Sequence, residues 1–306
     1  AANVNLNSSY SITPLMAAAA AGQREVAEYL IKNGAQTTLR DDLGKTALMH
    51  AMTRDDRRLT ETLLKSGTQA LNIPDNMGNT PLIYAAQSGN KNNIRTLLKY
   101  GANANYQNPA TGLSALSAAA AAGQNKSVQL LAEGGADLNL KDKEGRTPLF
   151  YAAEHGQVSI MNLLTDKGAD PHILDIHGKN LFLAAVEGQD IPAMQLLADN
   201  DFSVNSADMQ GKTALMYASE KGTGPLQWLI YNGADLNKQD TAGNTALMHA
   251  ISHLNEQAAV MLLQSHADPS IKNKQGQDAV ALVRQYLPGS SLEQLLLTPT
   301  VQTEAQ

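Results

Sequence analysis

Residues 46–51 read TALMHA, and residues 245–250 read TALMHA again, 199 positions further on. A six-residue phrase that recurs with its histidine, His50 in one copy and His249 in the other, is either chemistry used twice or a piece of architecture. Degenerate copies decide for architecture. Aligned on its first residue, the phrase recurs at Thr13 (TPLMAA), Thr46, Thr80 (TPLIYA), Ser114 (SALSAA), Thr147 (TPLFYA), Asn180 (NLFLAA), Thr213 (TALMYA), Thr245 and Asp278 (DAVALV), at intervals of 33, 34, 34, 33, 33, 33, 32 and 33 residues. A fixed period of this length marks a repeat array. Nine units, starting near residues 8, 41, 75, 109, 142, 175, 208, 240 and 273, make one domain over 1–297 and leave 298–306 as a flexible tail.

Each unit repeats the same local chemistry. A glycine stands two residues before the anchor in eight units, often behind an aspartate, as in DDLG (41–44), DNMG (75–78), DKEG (142–145) and DMQG (208–211). Aspartate bonds its own backbone and glycine accepts positive φ, so these are turns. The threonine that follows suits a helix N-cap, and proline in TPL suits the first helical position, where no N–H is needed. A short first helix rich in alanine follows, then a second amphipathic helix such as REVAEYLIKNG. That helix stops at a glycine that feeds GAN or GAD.

These units resemble ankyrin repeats, whose pattern runs D-x-x-G-x-T-P-L-H-x-A-A-x-x-G through a second helix to L-L-x-x-G-A-D-V-N. The resemblance covers roughly residues 2–297. It implies an all-α repeat solenoid of helix-turn-helix units joined by β-hairpin loops. A tetratricopeptide array has a similar period but lacks the Gly-x-Thr turn. Several departures stand out. The family histidine after TPL is replaced by Met16, Met49, Ile83, Phe150, Met216 and Met248, so an apolar contact is expected there in place of a polar tie. The unit anchored at Asn180 carries Pro192 early in its second helix and DNDFSVN (199–205) where GAD-x-N belongs, which predicts a local bend. The next unit is one residue short around GTGPLQWLI. Residues 2–5 match the end of an earlier GADVN turn, and Pro288-Gly289 precedes a short LEQLLL helix.

Composition excludes several roles. Hydrophobic residues are 43% of the 306 but aromatics only 4%, so the core is built from Ala, Leu, Ile, Val and Met. With 23 Lys plus Arg against 29 Asp plus Glu, the formal net charge is -6, which gives no general attraction to nucleic acid or to an anionic membrane surface. No run of 18 apolar residues exists to span a bilayer. There is no cysteine, and so no disulfide or thiolate site. The AANVN start without Met, the lack of Cys and the Asn/Gln-rich wording point to an exported, periplasmic bacterial protein, with a cytoplasmic one as the alternative.

Catalytic machinery is missing. GxSxG and SxxK elbows, a Walker loop and a GxGxxG turn are all absent. Asp41, Asp75, Asp142, Asp175, Asp208 and Asp240 recur at the repeat period and read as turn residues. His249 and His253 stand at i and i+4, the spacing of a zinc pair. Ala-Ile-Ser separates them without a Glu, and no third ligand is evident nearby, so no metal or other cofactor is expected; a zinc enzyme built on this pair stays as an alternative. His50 and His249 share their register with Tyr84, Tyr151 and Tyr217, which points to ring packing between neighbouring first helices.

The resemblance implies binding of another protein through hairpin tips and the concave face of the first helices, with no catalysis. The position between Gly and Thr carries Lys45, Arg146, Lys179 and Lys212, and the last three fall in consecutive units, so stacking would align them as a basic ladder facing an acidic patch. Replacing all three by Glu without changing affinity or its salt dependence would remove that idea. Met77, Glu144, Ile176, His177 and Met209 sit at the tips. At the end of the first helices lie Arg54, Glu154, His155, Glu187, Glu220, Lys221 and His253. Analogy with the family extends this to a monomer that masks or inhibits an enzyme, for instance an exported cell-wall hydrolase that would harm its producer. The alternative is an intracellular scaffold or a secreted effector that binds a host protein.

Overall fold

The computed structural model describes residues 3–297; the tail read at 298–306 lies outside the described residues. Among the described residues there are eighteen α-helices and no β-strand, with two isolated antiparallel bridges, Gln107 to Ser114 and Ala207 to Thr213. The loops expected as β-hairpins are turns too short for a ladder. In the first of them the Asp41 N–H donates to the Lys45 carbonyl at 3.0 Å and the Gly44 N–H to the Asp41 carbonyl at 2.8 Å.

The chain forms two compact units. The first comprises Ala1–Ala152 with Ser159–Pro171. It contains α1 (Pro14–Ala21), α2 (Arg24–Lys32), α3 (Ala47–Ala51), α4 (Arg57–Lys65), α5 (Pro81–Gln87), α6 (Lys91–Lys99), α7 (Ala115–Ala121) and α8 (Asn125–Glu133), with most of α9 (Pro148–Glu154) and α10 (Val158–Asp166). Here α1, α3, α5 and α7 pack in one row and α2, α4, α6 and α8 in another. The second unit comprises Ala153–Val158 with His172–Gln306. It contains α11 (Leu181–Glu187), α12 (Ile191–Asp199), α13 (Ala214–Lys221), α14 (Thr223–Tyr231), α15 (Ala246–Ser252), α16 (Glu256–Gln264), α17 (Ala279–Tyr286) and α18 (Ser291–Leu297), again with odd and even helices in separate rows.

Alanine lets the first helices approach closely: Ala19, Ala85, Ala119, Ala184 and Ala250 are wholly buried. Threonine caps them as the sequence requires. The Thr46, Thr213 and Thr245 Oγ1 atoms accept from the N–H groups of Met49, Met216 and Met248. The expected loss of the polar tie at the methionine register is corrected at Met16 and Met216. There the thioether sulfur accepts the N–H of the capping threonine, at 3.4 Å from Thr13 and 3.2 Å from Thr213. A long unbranched side chain reaches back over the first turn, and its polarisable sulfur serves as a weak acceptor.

A second device links successive units. The asparagine at the GAD-x-N register, present even in DNDFSVN, accepts at its Oδ1 from a backbone N–H about thirty residues on: Asn105 from Asp137 at 2.8 Å, Asn139 from Asp170 at 2.8 Å, Asn205 from Asp235 at 2.8 Å and Asn237 from Asp268 at 2.9 Å. Asn5 does the same for Gln36 at 2.9 Å, so residues 3–5 behave as the turn that the wording of this segment suggested. Pro192 does not break its helix: it falls in the first turn of α12, which runs on to Asp199. In the shortened unit α14 begins at Thr223, two residues after α13 ends.

One glycine has no freedom to grow. A Cβ on Gly188, at the end of α11, would stand 1.9 Å from the Glu154 carbonyl oxygen and 2.8 Å from its carbon. Other repeats carry Ser88, Ala122 and Lys221 at this register, yet the contact here is with backbone, which cannot rotate away. Gly188→Ala is expected to lower the unfolding free energy by about 2 kcal/mol, measured in urea; a midpoint equal to that of the parent chain would contradict the contact.

A candidate protein-binding face

In five repeats the turn aspartate and the ring register form one motif. The Asp208 Oδ1 accepts from the Gln210 and Lys212 N–H groups at 2.9 Å each, while its Oδ2 accepts the Tyr217 hydroxyl at 2.7 Å. Tyr84 donates likewise to Asp75 at 2.6 Å and Tyr151 to Asp142 at 2.7 Å. The histidines do the same work: His50 Nε2 lies 2.8 Å from Asp41 Oδ2, and His249 Nε2 lies 2.8 Å from Asp240 Oδ2. The TALMHA histidine is therefore a polar strut between the first helix and its own turn, and packing alone does not describe it. Burial, then the Asp208 carboxylate, push the Tyr217 phenol far up.

The lysines expected to form a free basic ladder are paired. Lys179 Nζ lies 2.8 Å from Glu187 Oε2, and Lys212 Nζ lies 2.7 Å from Glu220 Oε2. Both ammonium groups also sit over the Tyr217 ring, at 5.0 and 4.1 Å from its centroid. Lys45 lies 4.7 Å over the Tyr84 ring, and Arg146 lies 4.7 Å over the Tyr151 ring while its Nε stands 3.0 Å from Asp142 Oδ2. The glutamate eight residues on comes from the far end of the same first helix, which the turn folds back alongside. The basic row thus carries its own counter-charge. Of the other residues expected here, Glu187 also receives Lys221, whose Nζ donates to its carbonyl at 2.9 Å; Arg54 Nε donates to the Ala20 carbonyl at 3.0 Å. Glu154 is half-buried, and His155, Glu144 and His177 are exposed.

Four of the turns also present a large apolar side chain to solvent. Leu43 and Met77 are 63% and 71% exposed in the first compact unit, and Ile176 and Met209 are 54% and 69% exposed in the second. Their turns adjoin in pairs: the Asn76 N–H donates to the Leu43 carbonyl at 3.0 Å, and the Met209 N–H to the His177 carbonyl at 2.9 Å. Leu43 was not singled out from the sequence, although its place between Asp and Gly matches that of Met77. Among the described residues, no helix is long and apolar enough to cross a membrane.

A family model described as ankyrin repeats, in three copies, matches residues 15–108, 100–175 and 181–273. The chain belongs to the ankyrin repeat family. Its structure is also similar to the crystal structure of the human ASB11 ankyrin repeat domain, with a TM-score of 0.64 and 24% identity over 73% of this chain and 99% of that one. No curated protein matches by sequence. Ankyrin repeats generally serve as protein-protein interaction modules.

The ankyrin stacking also corrects one reading of His249 and His253. A third potential ligand does stand beside them: Glu220, at the end of α13, lies 29 residues earlier in sequence but one first helix away in space. Its Oε1 is 2.8 Å from His249 Nδ1 and 3.7 Å from His253 Nε2. Burial by itself would raise the Glu220 carboxyl, but hydrogen bonds from His249 and Lys212 outweigh it and hold the group down to about 2.

Proposed function

We propose that this ankyrin chain is a non-catalytic module that binds a partner protein across its hairpin tips and masks it. The observation that carries this reading is the contrast at the tips. Large apolar side chains stand out from turns whose polar groups are satisfied from within, as at Met77 on the Asp75 turn and Met209 on the Asp208 turn. A turn ordered in advance loses little entropy on binding, and methionine adapts to the surface it meets. The internally paired lysines contribute shape and rigidity at such a face more than net positive field.

The finer reading goes with this one. The 33-residue wording continues without interruption through both compact units, which supports nine repeats in a single array, monomeric until it meets its partner. We propose an enzyme as that partner, such as an exported cell-wall hydrolase restrained in the periplasm; a scaffold or effector that binds a host protein is the second reading. Capture of the partner by the full chain from source cells, followed by assay of its activity in the complex, separates the two. The Met77→Asp, Met209→Asp double variant is expected to bind at least about thirtyfold more weakly, as loss of a central apolar contact does. Lys179→Glu with Lys212→Glu is expected to lower stability, with little change in the salt dependence of binding. An undiminished affinity in the methionine double variant would sink the tip reading.

A further inference from the structure

We propose that Glu220, His249 and His253 bind a divalent transition metal of the zinc class, which clamps the first helices of two successive repeats. The argument rests on where the lone pairs point. Asp240 Oδ2, an acceptor only, lies 2.8 Å from His249 Nε2, so that nitrogen carries a proton; the proton that Nδ1 shares with Glu220 Oε1 at 2.8 Å is the one a metal would displace, freeing the Nδ1 lone pair. The His249 backbone carbonyl, also an acceptor only, lies 2.9 Å from His253 Nδ1, so that nitrogen is protonated and Nε2 presents its lone pair. His249 Nδ1 and His253 Nε2 face the same carboxylate oxygen, Glu220 Oε1, at 2.8 and 3.7 Å. Three electron-pair donors from three side chains thus converge, and all three ligand atoms lie within 4.8 Å of one another.

A cation is what such an arrangement accepts. Two histidines on one helix turn with a carboxylate from elsewhere are a zinc donor set that leaves a fourth position open. Each histidine already has the outer acceptor that ligating imidazoles use to fix their tautomer, a carboxylate for one and a carbonyl for the other. Bonds of about 2.0 Å in a tetrahedron separate ligand atoms by roughly 3.3 Å, so the site closes when His253 moves inward by about 1 Å and the 2.8 Å gap between His249 and Glu220 opens by about 0.5 Å. The His253 ring is half exposed and makes most of the movement, whereas Glu220 and His249 are largely buried and need shift only slightly. Lys212 Nζ holds the other carboxylate oxygen at 2.7 Å, which confines the metal to Oε1. Its positive charge is offset by Glu220 and Asp240, so once the His249 proton is displaced the cluster carries a net negative charge that holds the cation.

The test uses the full chain stripped of metal and titrated with Zn2+ alone against a chromophoric chelator, with Co2+ in a parallel experiment for its visible absorption. One Zn2+ per chain is expected, together with a rise in the thermal midpoint that grows with free Zn2+. His253→Ala removes a half-exposed side chain and leaves the fold intact; it is expected to weaken binding at least about tenfold, as is Glu220→Gln. Asp240→Asn isolates the tautomer. Asparagine already holds the equivalent turn at Asn273, where Oδ1 accepts from the Gln275 and Gln277 N–H groups at 3.0 Å each, so the fold tolerates it. Its amide would donate to His249 Nε2, move the ring proton to Nδ1 and lower Zn2+ affinity about tenfold to a hundredfold. His50→Gln, at a histidine with Asp41 alone on its ring, is the control that keeps full binding. The proposal is overturned if the parent chain takes up no Zn2+, which would leave a proton between His249 and Glu220, or if His253→Ala and Asp240→Asn bind as tightly as the parent.

Discussion

The Asp75→Ala variant is expected to unfold with about 3 kcal/mol less free energy than the parent chain, read from urea melts. Asp75 is 4% exposed, and its carboxylate serves three donors: the Met77 N–H at 3.0 Å, the Asn79 N–H at 2.8 Å and the Tyr84 hydroxyl at 2.6 Å. Truncation orphans all three at once, at roughly 1 kcal/mol each. Asp75→Asn should cost only about 1 kcal/mol. The chain itself supplies the reason: Asn108 and Asn273 already hold turns at this register through their amide oxygens. The same variants carry a second readout in alkali. Burial, then the Asp75 carboxylate, push the Tyr84 phenol up to about 12. A folded value above the ordinary one near 10 means that this contribution to stability is complete below pH about 10 and is lost as pH rises toward 12. In Asp75→Ala the phenol should titrate closer to its ordinary value. A parent-like urea midpoint, or a Tyr84 still titrating near 12, would falsify the strut.

The fold was legible because its signals are local. A threonine cap, a proline at the first helical position and an Asp-x-x-Gly turn each depend on a few neighbouring residues, and repetition at 33 residues multiplies their weight. Contacts between units were hidden. The Asn105 to Asp137 bond and the Glu220 to His249 contact join residues about thirty apart, and they follow only once two first helices lie side by side. The lysine row shows the same limit at shorter range. Sequence placed Lys179 and Lys212 at exposed turns, but the helix that follows each of them carries Glu187 and Glu220 back to within 2.8 and 2.7 Å. Charge counted along the chain was therefore positive where charge in space is balanced. The methionine register erred in the opposite sense, since an apolar side chain was read as ending a polar tie that its sulfur partly keeps.

Phe182→Ala is expected to be the most damaging single truncation, lowering the unfolding free energy by about 4 kcal/mol. Phe182 lies on α11 with no solvent exposure, at the register where other repeats carry Leu48, Leu82, Leu116 and Leu215. Its ring centroid is 6.2 Å from that of Trp228 on α14, at an interplanar angle of 45°. The irregular repeat thus compensates its departures: a larger side chain fills space beside the one tryptophan of the chain, in the repeat that also lacks the usual Thr anchor. Phe182→Leu restores the common residue and separates two explanations. If the register simply wants an aliphatic side chain, the leucine variant matches the parent. If the Trp228 neighbourhood is shaped to a ring, leucine costs about 1 kcal/mol and alanine several times more. Trp228 fluorescence follows the second compact unit directly, so the midpoint it reports should fall furthest for alanine and only slightly for leucine. A loss below about 1 kcal/mol in Phe182→Ala would mean that the neighbouring helices close over the vacated space, which rows of helices already packed through alanine have little room to do.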